Sequence, residues 1–536
     1  MLDKRVNKRS CAGFLLHARA LTARLNQLAR LAEGRNDRSL NASFRVPLPQ
    51  RSSRLKPAVN TAVRHAILLA IAAASFSASA AESLRDIYEL ALENDATLKA
   101  QEAQYLANLE TEKSALAQLL PQINGQYSFE NSDTDTTSPG IIGFDATGTP
   151  VIGDTFDNTD IDTTGYSVSL QQAIFDLPAW FTFRSGKEVS QQAEAVFAAN
   201  QQNLIVRVVE AYLAVLRAQD NLKASLAREQ AFERQLEQNQ QRFEVGLIAI
   251  TDVYESQAAF DLARVDRISD ENSVSVALEN LSVLTGKRHT SLDVLVESFT
   301  AKMPEPADRS SWVEFALENN FNLQAAKYGE EAARKTAKAR QFAHAPTIVG
   351  SGQYTDFETD GSRFQDPAGI FNFPPDQERE STSLRVDLNV PIFSGGGVSA
   401  ERRRAAQQFN QAREERINLT RQTVTDARSL HMTVVNDVAR VAARKQSIVS
   451  SKSALDATEA GYEVGTRNIV DVLNAQNTLF GALRDYANSR YDYITNSLRL
   501  KEQAGLLSPE DVYLLDGFLE EPPPPTSSTT GSSSTR

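Results

Sequence analysis

Two aspartates stand at matching places in this chain, each a few residues after a glycine. The first ends the run Gly246-Leu247-Ile248-Ala249-Ile250-Thr251-Asp252, and the second ends Gly465-Thr466-Arg467-Asn468-Ile469-Val470-Asp471. Aligned at an offset of 219 residues, the stretches share Glu, Val, Gly, Ile, Asp and Val in order, with Phe243 opposite Tyr462. A carboxylate there has two possible uses. It can cap the first turn of a helix, where unpaired N–H groups and the helix dipole favour negative charge. Repeated around a pore in an oligomer, Asp471 would form a carboxylate ring of the kind that selects cations. Both readings stay open on the residues alone. Only the second copy adds Tyr462 and Arg467, so the two tips are chemically complementary.

Little else in the chain has the spacing of a reactive site. The histidines are scattered at His17, His65, His289, His344 and His431, without metal-ligand spacing. No Gly-x-Ser-x-Gly nucleophile motif occurs. Gly395-Gly396-Gly397 lacks the lysine of a phosphate-binding loop and reads as a turn. The expectation is a conduit and not an enzyme, with no cofactor and no metal.

The elements that carry the two tips come in duplicate. Ala316-Leu317-Glu318-Asn319 repeats Ala91-Leu92-Glu93-Asn94, and Pro346 repeats Pro121. Each half reads as helix, strand, loop, strand, long helix, tip, returning helix. Residues 82–300 form the first repeat, with strands over 122–132 and 164–176 and a tip near 246–252. Residues 301–515 form the second, with strands over 347–358 and 383–393 and a tip near 461–471. The helix opening the first half is expected to run unbroken from Ser83 to Leu120. Residues 133–163 and 359–380 read as external loops. The long helices, near 179–243 and 399–462, carry apolar residues at seven-residue spacing: Val208, Val215, Leu222 and Leu236; Ile205, Tyr212 and Leu226; Ala427, Val434, Val441, Ile448 and Leu455. Such a helix is about 100 Å long at ~1.5 Å per residue. Gly246 and Gly465 mark the breaks between outgoing and returning helices.

The chain ends differ from the rest. The first eighty residues hold 14 Lys/Arg against 3 Asp/Glu, then an apolar run from Ala66 to Phe76 and the small residues Ala78-Ser79-Ala80-Ala81. Residues 1–81 thus read as an N-terminal extension with a secretory signal. The remaining chain, with 42 basic and 65 acidic residues, is strongly acidic, which argues against a nucleic-acid partner. The one cysteine, Cys11, falls in the segment to be removed. Residues 516–536 read as a disordered Pro/Ser/Thr tail.

The expected fold is mainly α with β: long antiparallel coiled-coil hairpins plus four membrane strands per chain. Strands of about ten residues match a tilted bilayer crossing. Four strands cannot close a barrel, and an open edge in lipid leaves backbone groups unpaired. Closure therefore requires other copies of the chain. The alternative is a periplasmic coiled-coil structural or adaptor protein without a pore.

The two tip stretches, the Ala-Leu-Glu-Asn openings and Pro391-Ile392-Phe393-Ser394-Gly395-Gly396 resemble the TolC family of outer-membrane channels. The resemblance covers about residues 82 to 515. It implies a homotrimer with a twelve-stranded barrel set in outer-membrane lipid and a helical tunnel in the periplasm. It implies a periplasmic adaptor (membrane fusion) protein and an inner-membrane ABC or proton-driven transporter as partners, in protein or drug export. It further implies that Thr251 and Asp252 contact Tyr462 and Arg467 to hold the periplasmic end closed, with Gln235 and Glu459 bonding across helices. The chain departs from close members at Asn474, where a second aspartate often stands, so a single ring at Asp471 would attract cations less strongly.

Overall fold

The computed structural model describes residues 81–366 and 376–522. The expected signal sequence, residues 367–375 and most of the expected tail lie outside them. In chain order the elements are α1 (Leu84–Asn94), α2 (Ala96–Ala117), β1 (Gln122–Phe144), β2 (Pro150–Phe175), α3 (Leu177–Glu244), α4 (Ile250–Thr285) and β3 (Val294–Leu295). The second half follows with α5 (Arg309–Asn319), α6 (Phe321–Gln341), β4 (Thr347–Asp366), β5 (Gln377–Asn389), α7 (Gly397–Glu463), α8 (Ile469–Gln503), α9 (Pro509–Asp516) and β6 (Leu519–Glu520).

The helix opening each half is broken rather than continuous. Asp95 takes an extended backbone and its carboxylate accepts the N–H of Leu98 at 2.9 Å, which starts α2 afresh. Asn320 does the same for Leu323 and α6. A side chain that satisfies one of the first unpaired N–H groups of a new helix makes the break cheap.

The long helices α3 and α7 pair with their returning partners α4 and α8. Val208, Val215 and Tyr212 are fully buried on α3, as are Ala427 and Val434 on α7. Leu226 is exposed instead, because no element of the same chain covers the seam there. The main core sits partway along α3. Leu84 and Ile87 of α1 pack there with Leu204, Val208, Tyr212 and Leu216 of α3, Leu281 of α4, Leu292 and Ile494. Each such Leu or Ile contributes roughly 1.5–3 kcal/mol. The Tyr212 hydroxyl is satisfied by the Asp293 carbonyl at 2.8 Å. A smaller cluster of Trp312, Val434, Leu500 and Ala504 serves the second half.

The four long strands form one antiparallel sheet in the order β1-β2-β4-β5. They outrun the ranges read from the sequence. β1 and β2 pair from Gln122↔Gln171 to Phe144↔Pro150, so most of residues 133–163 is ladder and not loop. β4 continues to Asp366, and β5 starts at Gln377 and stops at Asn389, short of Pro391. These extensions carry Asp, Asn and Gly, which are depleted in strands. Paired side chains make up for it. Asn131 donates to Asp162 at 2.9 Å, and Asn158 donates to Asp133 and Asp135 at 3.0 and 2.8 Å.

The sheet has one apolar face. Ile123, Tyr127 and Phe129 lie opposite Leu170, Tyr166 and Thr164, and Leu384 lies across Gly352 from Leu170. Leu384 is 87% exposed and Ile123 68%, far beyond what a core face would be. Above Phe129 the same face turns to Asn131, Asp133 and Asp135. Among the described residues no helix is long and apolar enough to cross a membrane. Close to the tail, Leu519–Glu520 pairs with Val294–Leu295, so this part of 516–536 is ordered against the core.

Candidate functional site

Both tips are built alike. Gly246 and Gly465 have φ +75° and +77°, the left-handed region that side chains with a Cβ avoid. Leu247 N–H reaches the Arg242 carbonyl at 2.8 Å, and Thr466 N–H reaches that of Gly461 at 2.9 Å. Both helix ends are thus closed by wrap-around backbone bonds.

The two aspartates then diverge. Asp471 completes a capping box: its N–H donates to Asn468 Oδ1 at 2.8 Å, and its carboxylate accepts the Asn468 N–H at 3.3 Å. Arg467 stands 3.9 Å from the same carboxylate, with both groups partly exposed. At the first tip Ala249 occupies the cap position and offers no side-chain bond. Among the described residues the Asp252 carboxylate accepts only the Thr251 hydroxyl, at 3.3 Å. Asp252 is therefore the carboxylate left available for a neighbour, while Asp471 already serves its own helix.

Tyr462 does not bond to Thr251 or Asp252 within one chain. Its hydroxyl donates to Asn239 Oδ1 at 3.2 Å, and the Arg242 guanidinium lies over its ring at 5.1 Å. Burial raises the Tyr462 phenol above its usual pKa, with Arg242 opposing and Asp252 adding to the rise, so the group is a hydrogen-bond donor at neutral pH. Nor do Gln235 and Glu459 meet: Gln235 donates to Asn239 at 3.2 Å, and Glu459 accepts from Gln476 at 3.2 Å. An Asp252–Arg467 pair is not among the ion pairs of the described residues. Asn474 is exposed, and its carbonyl accepts from the Thr478 hydroxyl at 2.8 Å. Beneath these polar groups Phe232, Ala263, Ile469, Val472 and Leu473 form a small core that joins both hairpins.

Asn239, Ser256, Arg242 and Gln476 were missed by sequence reasoning. For Asn239 a signal existed. It follows Phe232 by seven residues and Leu236 by three, so it holds a seam position where an apolar residue belongs. No group of three or more His, Cys, Asp or Glu residues that could hold a metal occurs among the described residues.

Comparison with known proteins fixes the family. A model of the outer membrane efflux protein family matches residues 87–287 and 312–506. The chain belongs to this family. It is 34% identical to the outer membrane protein TolC of Vibrio cholerae over 438 residues, 81% of this chain and 93% of that one. It is 29% identical to the alkaline protease secretion protein AprF of Pseudomonas aeruginosa, over 81% of this chain and 86% of that one. The crystal structure of the outer membrane protein VceC from Vibrio cholerae has the same fold, with TM-score 0.62 at 17% identity, covering 79% of this chain and 96% of that one. As an outer membrane efflux protein, this chain is an export channel of the outer membrane, with helical tunnel and β-barrel strands. That sets aside a poreless periplasmic protein. The exposed apolar sheet face is then the lipid face.

Proposed function

We propose that three copies of the chain close one twelve-stranded barrel and that the helical tips gate its periplasmic end. The observation behind the trimer is the four-stranded sheet with β1 and β5 as open edges and an exposed apolar face. Edge groups in hydrocarbon cost several kcal/mol each, so the edges pair with those of neighbouring copies.

The gate reading rests on the contact of Tyr462 with the α3–α4 hairpin and on the half-buried carboxylate of Asp252, which accepts from Thr251 alone among the described residues. In the closed trimer Arg467 of one chain reaches Asp252 of a neighbour, and Asp471 forms the ring that favours cations. An exposed ion pair is worth only ~0–1 kcal/mol. A net hydrogen bond adds about 0.5–1.5 kcal/mol. Repeated three times, these contacts sum to a few kcal/mol. A docking partner that prefers the open tips can offset that amount. The partners are a periplasmic adaptor and an inner-membrane transporter. Relatives named for protease secretion and for efflux support protein or drug export as the task of this channel.

Single-channel recording in planar bilayers tests the gate. Arg467→Ser with Tyr462→Phe raises conductance severalfold if the tips are the constriction. Unchanged conductance in an intact trimer would place the constriction elsewhere.

A further inference from the structure

We infer that Asn239 is the fixed point from which the tips open: it binds α3 permanently to α4 and holds α7 by a bond that can be released. The inference rests on the gate reading above and assigns the positioning residue behind it.

Asn239 is fully buried, 0% exposed, and so is Ser256. Its amide makes three bonds to three elements. Oδ1 accepts from Gln235 Nε2 on its own helix and from Tyr462 Oη on α7, each at 3.2 Å. Nδ2 donates to Ser256 Oγ on α4 at 2.6 Å, and Ser256 Oγ donates onward to the Asp252 carbonyl at 2.8 Å. The chain of donors has one direction. Ser256 spends its proton on Asp252, so it can only accept from Asn239, which turns the Asn239 oxygen toward Tyr462. The Asn239 amide thus links the tyrosine of one hairpin to the backbone of Asp252 in the other.

The two ends of this chain differ in how they can break. Parting Asn239 from Ser256 would strand a buried N–H, which costs the full desolvation of that group. Parting Tyr462 from Asn239 strands nothing, because Gln235 still occupies Oδ1 and the phenol moves into water. The α3–α4 tip therefore stays one body, and the α7–α8 tip is the part that leaves. A buried asparagine in a coiled-coil seam also fixes helix register. Register accounts for the bond to Ser256, but not for the bond to Tyr462, which belongs to the other hairpin.

Single-channel conductance of trimeric protein in planar bilayers separates these roles. Asn239→Leu, with Tyr462, Asp252 and Arg467 intact, is expected to raise conductance at least threefold. Adding Tyr462→Phe to it is expected to give no further rise, since the one bond that change removes, Tyr462 to Asn239, is already gone. Asn239→Ala serves if leucine blocks trimer assembly. If Arg467→Ser with Tyr462→Phe opens the channel while Asn239→Leu and Asn239→Ala leave it closed, Asn239 is only a register residue. Multiplicative effects of Asn239→Leu and Tyr462→Phe would overturn the inference as well. If the Arg467/Tyr462 pair of changes is silent too, the gate reading itself falls.

Discussion

Asp95 and Asn320, 225 positions apart, occupy the same point in the two repeats, and each accepts the N–H of the third residue beyond it at 2.9 Å. Their second bonds differ. Asp95 receives Arg207 Nη2 at 2.8 Å, whereas the Asn320 amide donates to the Gln503 carbonyl at 2.9 Å. One repeat therefore ties its broken helix to a long helix by charge, and the other by a neutral bond.

That difference makes the first half acid-sensitive at this joint. Burial opposes ionisation of Asp95, but the Arg207 guanidinium and the Leu98 N–H outweigh it and hold the carboxyl below its ordinary value of 3.8. A depressed carboxyl stabilises the fold above the unfolded-state pKa and loses that contribution as pH falls through the folded one. Arg207→Met leaves a buried carboxylate without its cation and is expected to cost about 1–3 kcal/mol at pH 7. The loss should shrink below pH 4. Urea denaturation of the detergent-solubilised trimer across pH checks it, and an equal loss at pH 3 and pH 7 would rule the pair out as the cause.

Assembly is read most directly from mass. In mild detergent the mature protein is expected to run as a trimer on light scattering. Val386→Arg puts a charge on the apolar sheet face, at about 2–4 kcal/mol near mid-bilayer, and should block assembly. Arg385→Ala changes the opposite face and should leave it intact. A stable monomer that keeps its strands would refute closure between copies.

At the tips, Asp471→Ala is expected to leave the closed conductance nearly unchanged and to lower the preference for cations, read as reversal potential in a salt gradient. It also removes half of a capping box, so the first turn of α8 loses about 0.5–1 kcal/mol. An unchanged reversal potential would reduce Asp471 to a cap.

The glycine turns give a separate check. A valine at position 465 must enter the left-handed region at roughly 1–2 kcal/mol. Gly465→Val is therefore expected to fray the second tip and admit protease between α7 and α8 in the folded trimer. Gly481→Val, within α8 and with open space where its side chain would go, should not.

Period and punctuation determined the architecture. The seven-residue stripes through Val208 and Val434 demanded long paired helices, and the two glycine tips demanded hairpins. Alternation from Ile123 to Phe129 demanded a sheet with one apolar face, which four strands could not close alone. These are local signals, carried by spacing along the chain. The length of the ribbon beyond Phe129 was not local. Asn131 and Asn158 look like loop residues until the register sets each amide beside a pair of carboxylates. The contacts of the tip were equally a matter of folding. Asn239 and Tyr462 are 223 positions apart, and nothing along the chain says that a buried amide on α3 would meet the phenol at the end of α7. Sequence placed a carboxylate at both tips, and the local contrast of Asn468 with Ala249 binds Asp471 but not Asp252 to its own helix start; only packing brought Tyr462 to Asn239.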